Sequence, residues 1–192
     1  MHYAVGAPKA DHLRGRVYLC PDCFSESSSS LLRSSEIYFP HDSLTLNGRH
    51  FGERFGHSVC AVNLDADRFD DLVVGAPLYS EKNGVRMFFG RKYLRHFISY
   101  IFASLLFQLH DIGTVYVFRT TVVGYQTQMT LVSSSLRRKK QPGAKFGATV
   151  VNVGDLDGDR YEDFAVAAPF EDDGQGAIYI YRGAAGVILA GT

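Results

Sequence analysis

Phe146-Gly147, then Asp155-Leu156-Asp157-Gly158-Asp159-Arg160-Tyr161-Glu162-Asp163, then Phe164-Ala165-Val166-Ala167-Ala168-Pro169 is one copy of a pattern that occurs twice in full. The other copy runs from Phe55-Gly56 through Asn63-Leu64-Asp65-Ala66-Asp67-Arg68-Phe69-Asp70-Asp71 into Leu72-Val73-Val74-Gly75-Ala76-Pro77. A shorter third copy opens the chain as Val5-Gly6-Ala7-Pro8. Repetition at a period of tens of residues predicts supersecondary units that bury their apolar faces only by stacking on one another.

Working outward, each Ala-Pro is followed by a Gly and a strand-like run. These runs are Gly15-Arg16-Val17-Tyr18-Leu19, Gly113-Thr114-Val115-Tyr116-Val117-Phe118 and Gly176-Ala177-Ile178-Tyr179-Ile180-Tyr181. β-Branched and aromatic residues alternating at period two predict half-buried strands. Upstream of each acidic stretch, Phe-Gly and a small apolar run (57–62 and 148–153) predict a first strand, with Gly permitting close approach near the axis of a radial array. The fold class is therefore all-β, built as antiparallel blades.

The acidic stretches have the composition of a metal loop. Counting from the first residue, oxygen donors fall at positions one, three, five and nine, with a backbone carbonyl expected at seven. The expected ligands are Asn63, Asp65, Asp67, Phe69 by its carbonyl and Asp71, and then Asp155, Asp157, Asp159, Tyr161 by its carbonyl and Asp163. Several carboxylates in an all-oxygen set favour Ca²⁺ over Mg²⁺, which demands a tighter octahedron, and over Zn²⁺, which prefers nitrogen and sulfur. An EF-hand is excluded, because Arg68 and Arg160 stand where that loop needs Gly, and strands rather than helices flank the stretch. Aspartates that only solvate a tight turn are the alternative, and two copies with matched spacing argue against it.

Composition narrows the remaining classes. Twenty basic and 20 acidic residues cancel to zero formal charge, which argues against an electrostatic grip on nucleic acid. The one basic run, Arg137-Arg138-Lys139-Lys140, reads as a solvated loop. No nucleophile elbow, zinc-protease helix or phosphate-cradling loop occurs, so no catalytic constellation can be assembled and the chain is not expected to be an enzyme. Cys20 and Cys23 are expected to form a local disulfide or to pair outside this sequence, and Cys60 is expected to be a buried small hydrophobe.

The repeat as a whole, Phe-Gly, acidic loop, Gly-Ala-Pro and Gly-x-Val-Tyr, resembles the FG-GAP repeat of integrin α subunits. That resemblance covers most of the chain, apart from residues near 85–108 and the Ser-rich stretch 25–35. It implies about three blades of a seven-bladed β-propeller, here a partial one. Residues 1–24 read as the C-terminal half of a blade, 25–45 as a Ser-rich linker and strand, 46–135 as a blade with an acidic loop and an atypical insert, and 136–192 as a second such blade. The resemblance also implies Ca²⁺ in both loops, a noncovalent heterodimer with an integrin β subunit, and a matrix or cell-surface protein ligand. Its setting would be the extracellular part of a single-pass plasma-membrane protein. The runner-up is an FG-GAP propeller attached to a secreted hydrolase of the glycosylphosphatidylinositol phospholipase kind, or a secreted lectin-like propeller. Where the family usually has Gly at the sixth loop position this chain has Arg68 and Arg160, and a left-handed backbone there would cost each about 1–2 kcal/mol.

One segment breaks the period. Pro8 and Pro77 stand 69 residues apart, but Pro77 and Pro169 stand 92 apart. Val85–Gln108 has neither blade nor turn character, and its ends can be encoded as a splice donor and a splice acceptor. Removing it restores an interval of 68, so the segment reads as a retained in-frame intron, with a true rim loop as the alternative.

Overall fold

The computed structural model describes residues 3–20, 44–80, 111–121, 124–132, 143–184 and 189–190. The insert 85–108, the Ser-rich stretch 25–35, the basic run 137–140 and Cys23 lie outside them. Within them the chain forms three antiparallel sheets. The first contains β1 (Tyr3–Ala7), β2 (Arg16–Cys20) and β3 (Leu44–Asn47), in the order β1-β2-β3. The second contains β4 (Ser58–Val62), β5 (Asp71–Ala76), β6 (Thr114–Thr121) and β7 (Gly124–Val132), and the third β8 (Thr149–Gly154), β9 (Asp163–Ala168), β10 (Ala177–Arg182) and β11 (Leu189–Ala190). Both of these are four-stranded meanders in chain order. This is a partial β-propeller.

The sequence repeat is a repeat of register. Val5 pairs with Tyr18, Val74 with Tyr116 and Val166 with Tyr179, so the Gly-Ala-Pro strand and the Gly-x-Val-Tyr strand meet the same way in every sheet. The connections before β2 and β10 also match. Each makes a left-handed turn, at Asp11, His12 and Leu13 in one and at Asp172, Asp173 and Gly174 in the other. The corresponding connection in the second sheet runs from residue 77 to 113 and contains the insert.

Blades stack through their backbones. Gly15 bridges to Phe55 of the following blade, and Gly113 bridges to Phe146 in the same way. A Cβ on Gly75 would lie 2.1 Å from the carbonyl oxygen of Gly147, so the second and third sheets approach too closely for any side chain there. Two apolar cores fill the spaces between sheets. Val17 and Leu19 of the first sheet pack with Phe55, Leu72, Val74, Ala76, Tyr116 and Phe118. Val73, Val115 and Val117, on the opposite face of the second sheet, pack with Phe146, Val150, Phe164, Val166 and Tyr181.

Period two had suggested strands buried on one face. In the second sheet the residues from Val115 to Phe118 are all buried, because a blade covers each face. In the third sheet the alternation does mark burial, with Tyr179 and Tyr181 inside and Ile178 73% exposed. Cys60 is half-buried and free, and it packs at the edge of the second core, where burial pushes its thiol up from the usual value.

Each complete blade also holds one buried carboxylate against its Gly-x-Val-Tyr tyrosine. The Tyr116 hydroxyl donates to Glu53 Oε2 at 2.8 Å, and the Tyr179 hydroxyl donates to Glu171. The two acids come from different places in the repeat. Glu53 stands two residues before Phe55, where the third blade has the buried Ala144; Glu171 stands two residues after Pro169, where the second blade has Tyr79.

Candidate metal centre

Both acidic loops connect the first and second strands of a blade, β4 to β5 and β8 to β9. In the second loop the carboxylate oxygens of Asp155, Asp157 and Asp159 lie within 4.8 Å of one another, and all three residues are exposed. The loop is shaped by its own aspartates. Asp155 Oδ2 accepts from the Arg160 amide at 2.8 Å, and its Oδ1 accepts from Gly158 and Asp159 at 2.7 and 3.1 Å. These bonds, that from Arg160 foremost, hold the Asp155 carboxyl below the usual carboxylate range. Asp159 Oδ1 accepts from the Tyr161 amide at 2.9 Å. Asp163 is fully buried at the base of the loop, where its two oxygens accept from Leu156 and Gly183.

The first loop is drawn differently. Among the described residues its carboxylates do not converge as a group of three. Asp65 Oδ1 accepts from the Asp67 amide at 3.2 Å, Asp67 Oδ1 accepts from Phe69 at 2.6 Å, and the Asn63 side-chain amide donates to the Asp67 carbonyl at 2.9 Å. Asp71 is buried and accepts from the Thr120 amide at 2.8 Å. Burial pushes its carboxyl up to about 6; the charges of Asp65 and Asp67 add to this, and the Thr120 and Leu64 amides oppose it.

The donor set fits a hard cation. Three carboxylates converge in the second loop, and in the first the Asn63 Oδ1 is buried with no hydrogen-bond partner, as expected of an oxygen meant for an ion.

Arg160 is left-handed at φ 78°, as its place at the sixth position anticipated, but Arg68 is not. The position left-handed in both loops is the fourth, held by Ala66 at φ 56° and by Gly158 at φ 79°. Only one loop has Gly there, so the strain the sixth position predicted for Arg68 falls instead on Ala66.

Two site residues escaped the sequence reading. Arg119 on β6 reaches Asp65, and Arg182 on β10 reaches Asp157 at 3.1 Å. Each stands six residues beyond the Gly that opens its strand, and each meets the third loop position. The loops also touch one another. The Asn63 amide donates to Glu162 Oε2 at 2.9 Å and the Glu162 amide donates to the Asn63 carbonyl at 3.0 Å, while the Asn152 side chain donates to the same Glu162 oxygen.

Comparison with known proteins accords with this geometry. Residues 55–86 and 146–181 match the FG-GAP repeat model. The chain is 36% identical over 174 residues to integrin alpha ina-1 of Caenorhabditis elegans, an alignment that takes in 88% of this chain and 13% of that protein. It is 30% identical over 178 residues to integrin alpha-4 of Xenopus laevis, covering 93% of this chain and 13% of the relative. Against human integrin alpha-11 it is 30% identical over 188 residues, covering 97% and 12%. The chain thus spans about an eighth of the length of these relatives. With FG-GAP motifs lying on stacked blades and similarity running along most of its length, this chain is a stretch of FG-GAP propeller belonging to the integrin α family.

Proposed function

We propose that this chain is part of the extracellular, calcium-stabilised propeller of a cell-adhesion receptor, paired noncovalently with an integrin β subunit and presenting its rim to matrix or cell-surface protein ligands. It acts as a binding module and not as an enzyme. The observation that carries the reading is the convergence of Asp155, Asp157 and Asp159 in a loop between strands of a blade stacked on its neighbour.

Asp155, Asp157, Asp159, the Tyr161 carbonyl and Asp163 would hold one Ca²⁺, and Asn63, Asp65, Asp67, the Phe69 carbonyl and Asp71 a second. The ion supplies charge neutralisation that locks the loop. The chain's own residues transmit that order to the blade. Asp163 ties the loop base to Gly183 after β10, Asp71 ties it to Thr120 on β6, and Glu162 joins the two loops. The second loop offers four carboxylates and the first offers three and an amide, so the second is expected to bind more tightly. Among the described residues no helix is long and apolar enough to cross a membrane. Membrane attachment in this reading belongs to other parts of the receptor.

The test is co-expression of the full-length receptor chain with a β subunit of the same organism, followed by surface immunoprecipitation. The reading predicts a heterodimer whose yield falls at least severalfold with Asp155→Ala/Asp157→Ala. A chain secreted alone, carrying lipase activity or binding glycans without a β subunit, would contradict it.

A further inference from the structure

We infer that Arg119 is an internal cation of the first acidic loop, which competes with a metal ion for Asp65 and makes that loop the weaker and less metal-dependent of the two. The inference rests on the calcium reading above. Arg119 and Arg182 occupy the same register position in their blades and contact the same position of their loops, so the two sites form an internal comparison.

They differ in shielding and in reach. The Asp65 side chain is 4% exposed, and its Oδ2 receives both Nε and Nη2 of Arg119. Its other oxygen accepts from the Asp67 amide, a bond to backbone of the kind Asp155 also makes, so what sets Asp65 apart is the guanidinium on Oδ2. Asp157 is more open, at 28%, and meets Arg182 through Nη1 from a side chain that is 53% exposed. A guanidinium on a carboxylate shielded from water is weakly screened and makes a strong charge-assisted pair. An exposed pair contributes little, and its arginine can swing into solvent when an ion arrives.

The consequence for an entering cation follows from charge alone. In the first loop it must displace the Arg119 guanidinium or share Asp65 with it, at a distance where two positive charges repel. In the second it meets three converging carboxylates and one half-exposed arginine. Arg119 also holds Asp65 in place without any ion, through a strand of the same blade. The first loop should therefore keep its shape in chelator while the second loosens.

Calorimetric calcium titration of the full chain tests this, with Asp157→Ala as the background that isolates the first loop. Arg119→Gln is expected to tighten calcium binding there about tenfold and to lower the thermal midpoint in EDTA, with calcium restoring it. Arg182→Gln, in an Asp65→Ala background, is expected to tighten the second loop by a smaller factor. If Arg119→Gln does not fold, Arg119→Lys keeps the charge without the two-nitrogen contact and is expected to tighten the first loop by about threefold. Calcium binding in the first loop that is unchanged or weakened by either folded variant overturns the inference and leaves the calcium reading standing. No calcium binding by either loop, in the parent and the variants alike, overturns the calcium reading itself.

Discussion

Gly113→Ala should be among the most damaging single-methyl substitutions in the described blades, together with Gly15→Ala, whose Cβ would meet the Phe55 backbone in the same way. Gly113 has φ +83°, and a Cβ there would stand 2.1 Å from the Phe146 carbonyl oxygen and 2.4 Å from its amide nitrogen. Those are backbone atoms and cannot rotate away, so the third blade must shift off the second or the strand must distort. The left-handed conformation costs about 1 kcal/mol and the forced separation several more, so the expected loss is about 4 kcal/mol. In a chain of this size that is a fall in thermal midpoint of about 10 °C. Gly174→Ala is the control. Gly174 is left-handed too, at φ +89°, but nothing lies within 4 Å of its added Cβ, so only the conformational cost applies. Equal melting shifts for the two variants would show that the backbone contact at Gly113 is not what joins the blades.

Glu53→Ala is expected to cost on the order of 3 kcal/mol, read as a loss of stability in urea at neutral pH. Glu53 is fully buried; its Oε1 accepts from the Arg49 and His50 amides, and its Oε2 from the Tyr116 hydroxyl. Removing the carboxylate strips the acceptor from a buried phenol that burial and the Glu53 charge already hold strongly in its protonated, donating form. Tyr116→Phe should cost less, about 1 kcal/mol, because Glu53 keeps its two amide donors. The opposite order would mean that the tyrosine ring, edge-on to Phe55 at 5.3 Å, matters more than the carboxylate that anchors it.

These residues also mark how far the sequence could be read. The strands were legible because their punctuation recurs: Val74, Gly75 and Tyr116 have counterparts at Val5, Gly6 and Tyr18, and the sheets repeat the register as faithfully as the residues. The second acidic loop was legible because the carboxylates that converge are neighbours in sequence. The Glu53 and Glu171 anchors were not, since the blades draw the acid from different positions and no period reveals a swap. Arg119 lies 54 residues from Asp65, so only the fold brings the two together. The fourth loop position escaped for another reason. Left-handedness is a backbone property, and Ala66 carries no sign of it in its side chain.

The acidic loops are expected to make the stability of the blades depend on calcium. Thermal unfolding of the full chain, with calorimetric titration alongside, should be compared in calcium and in EDTA for the parent and for Asp157→Ala. Ligand bound only by the folded blades raises the midpoint by mass action. If the acidic loops hold calcium, the parent shows two binding events and a midpoint higher in calcium than in EDTA, and Asp157→Ala shows one binding event with a smaller midpoint rise. A parent that binds no calcium and melts at the same temperature in both buffers would contradict calcium binding by these loops.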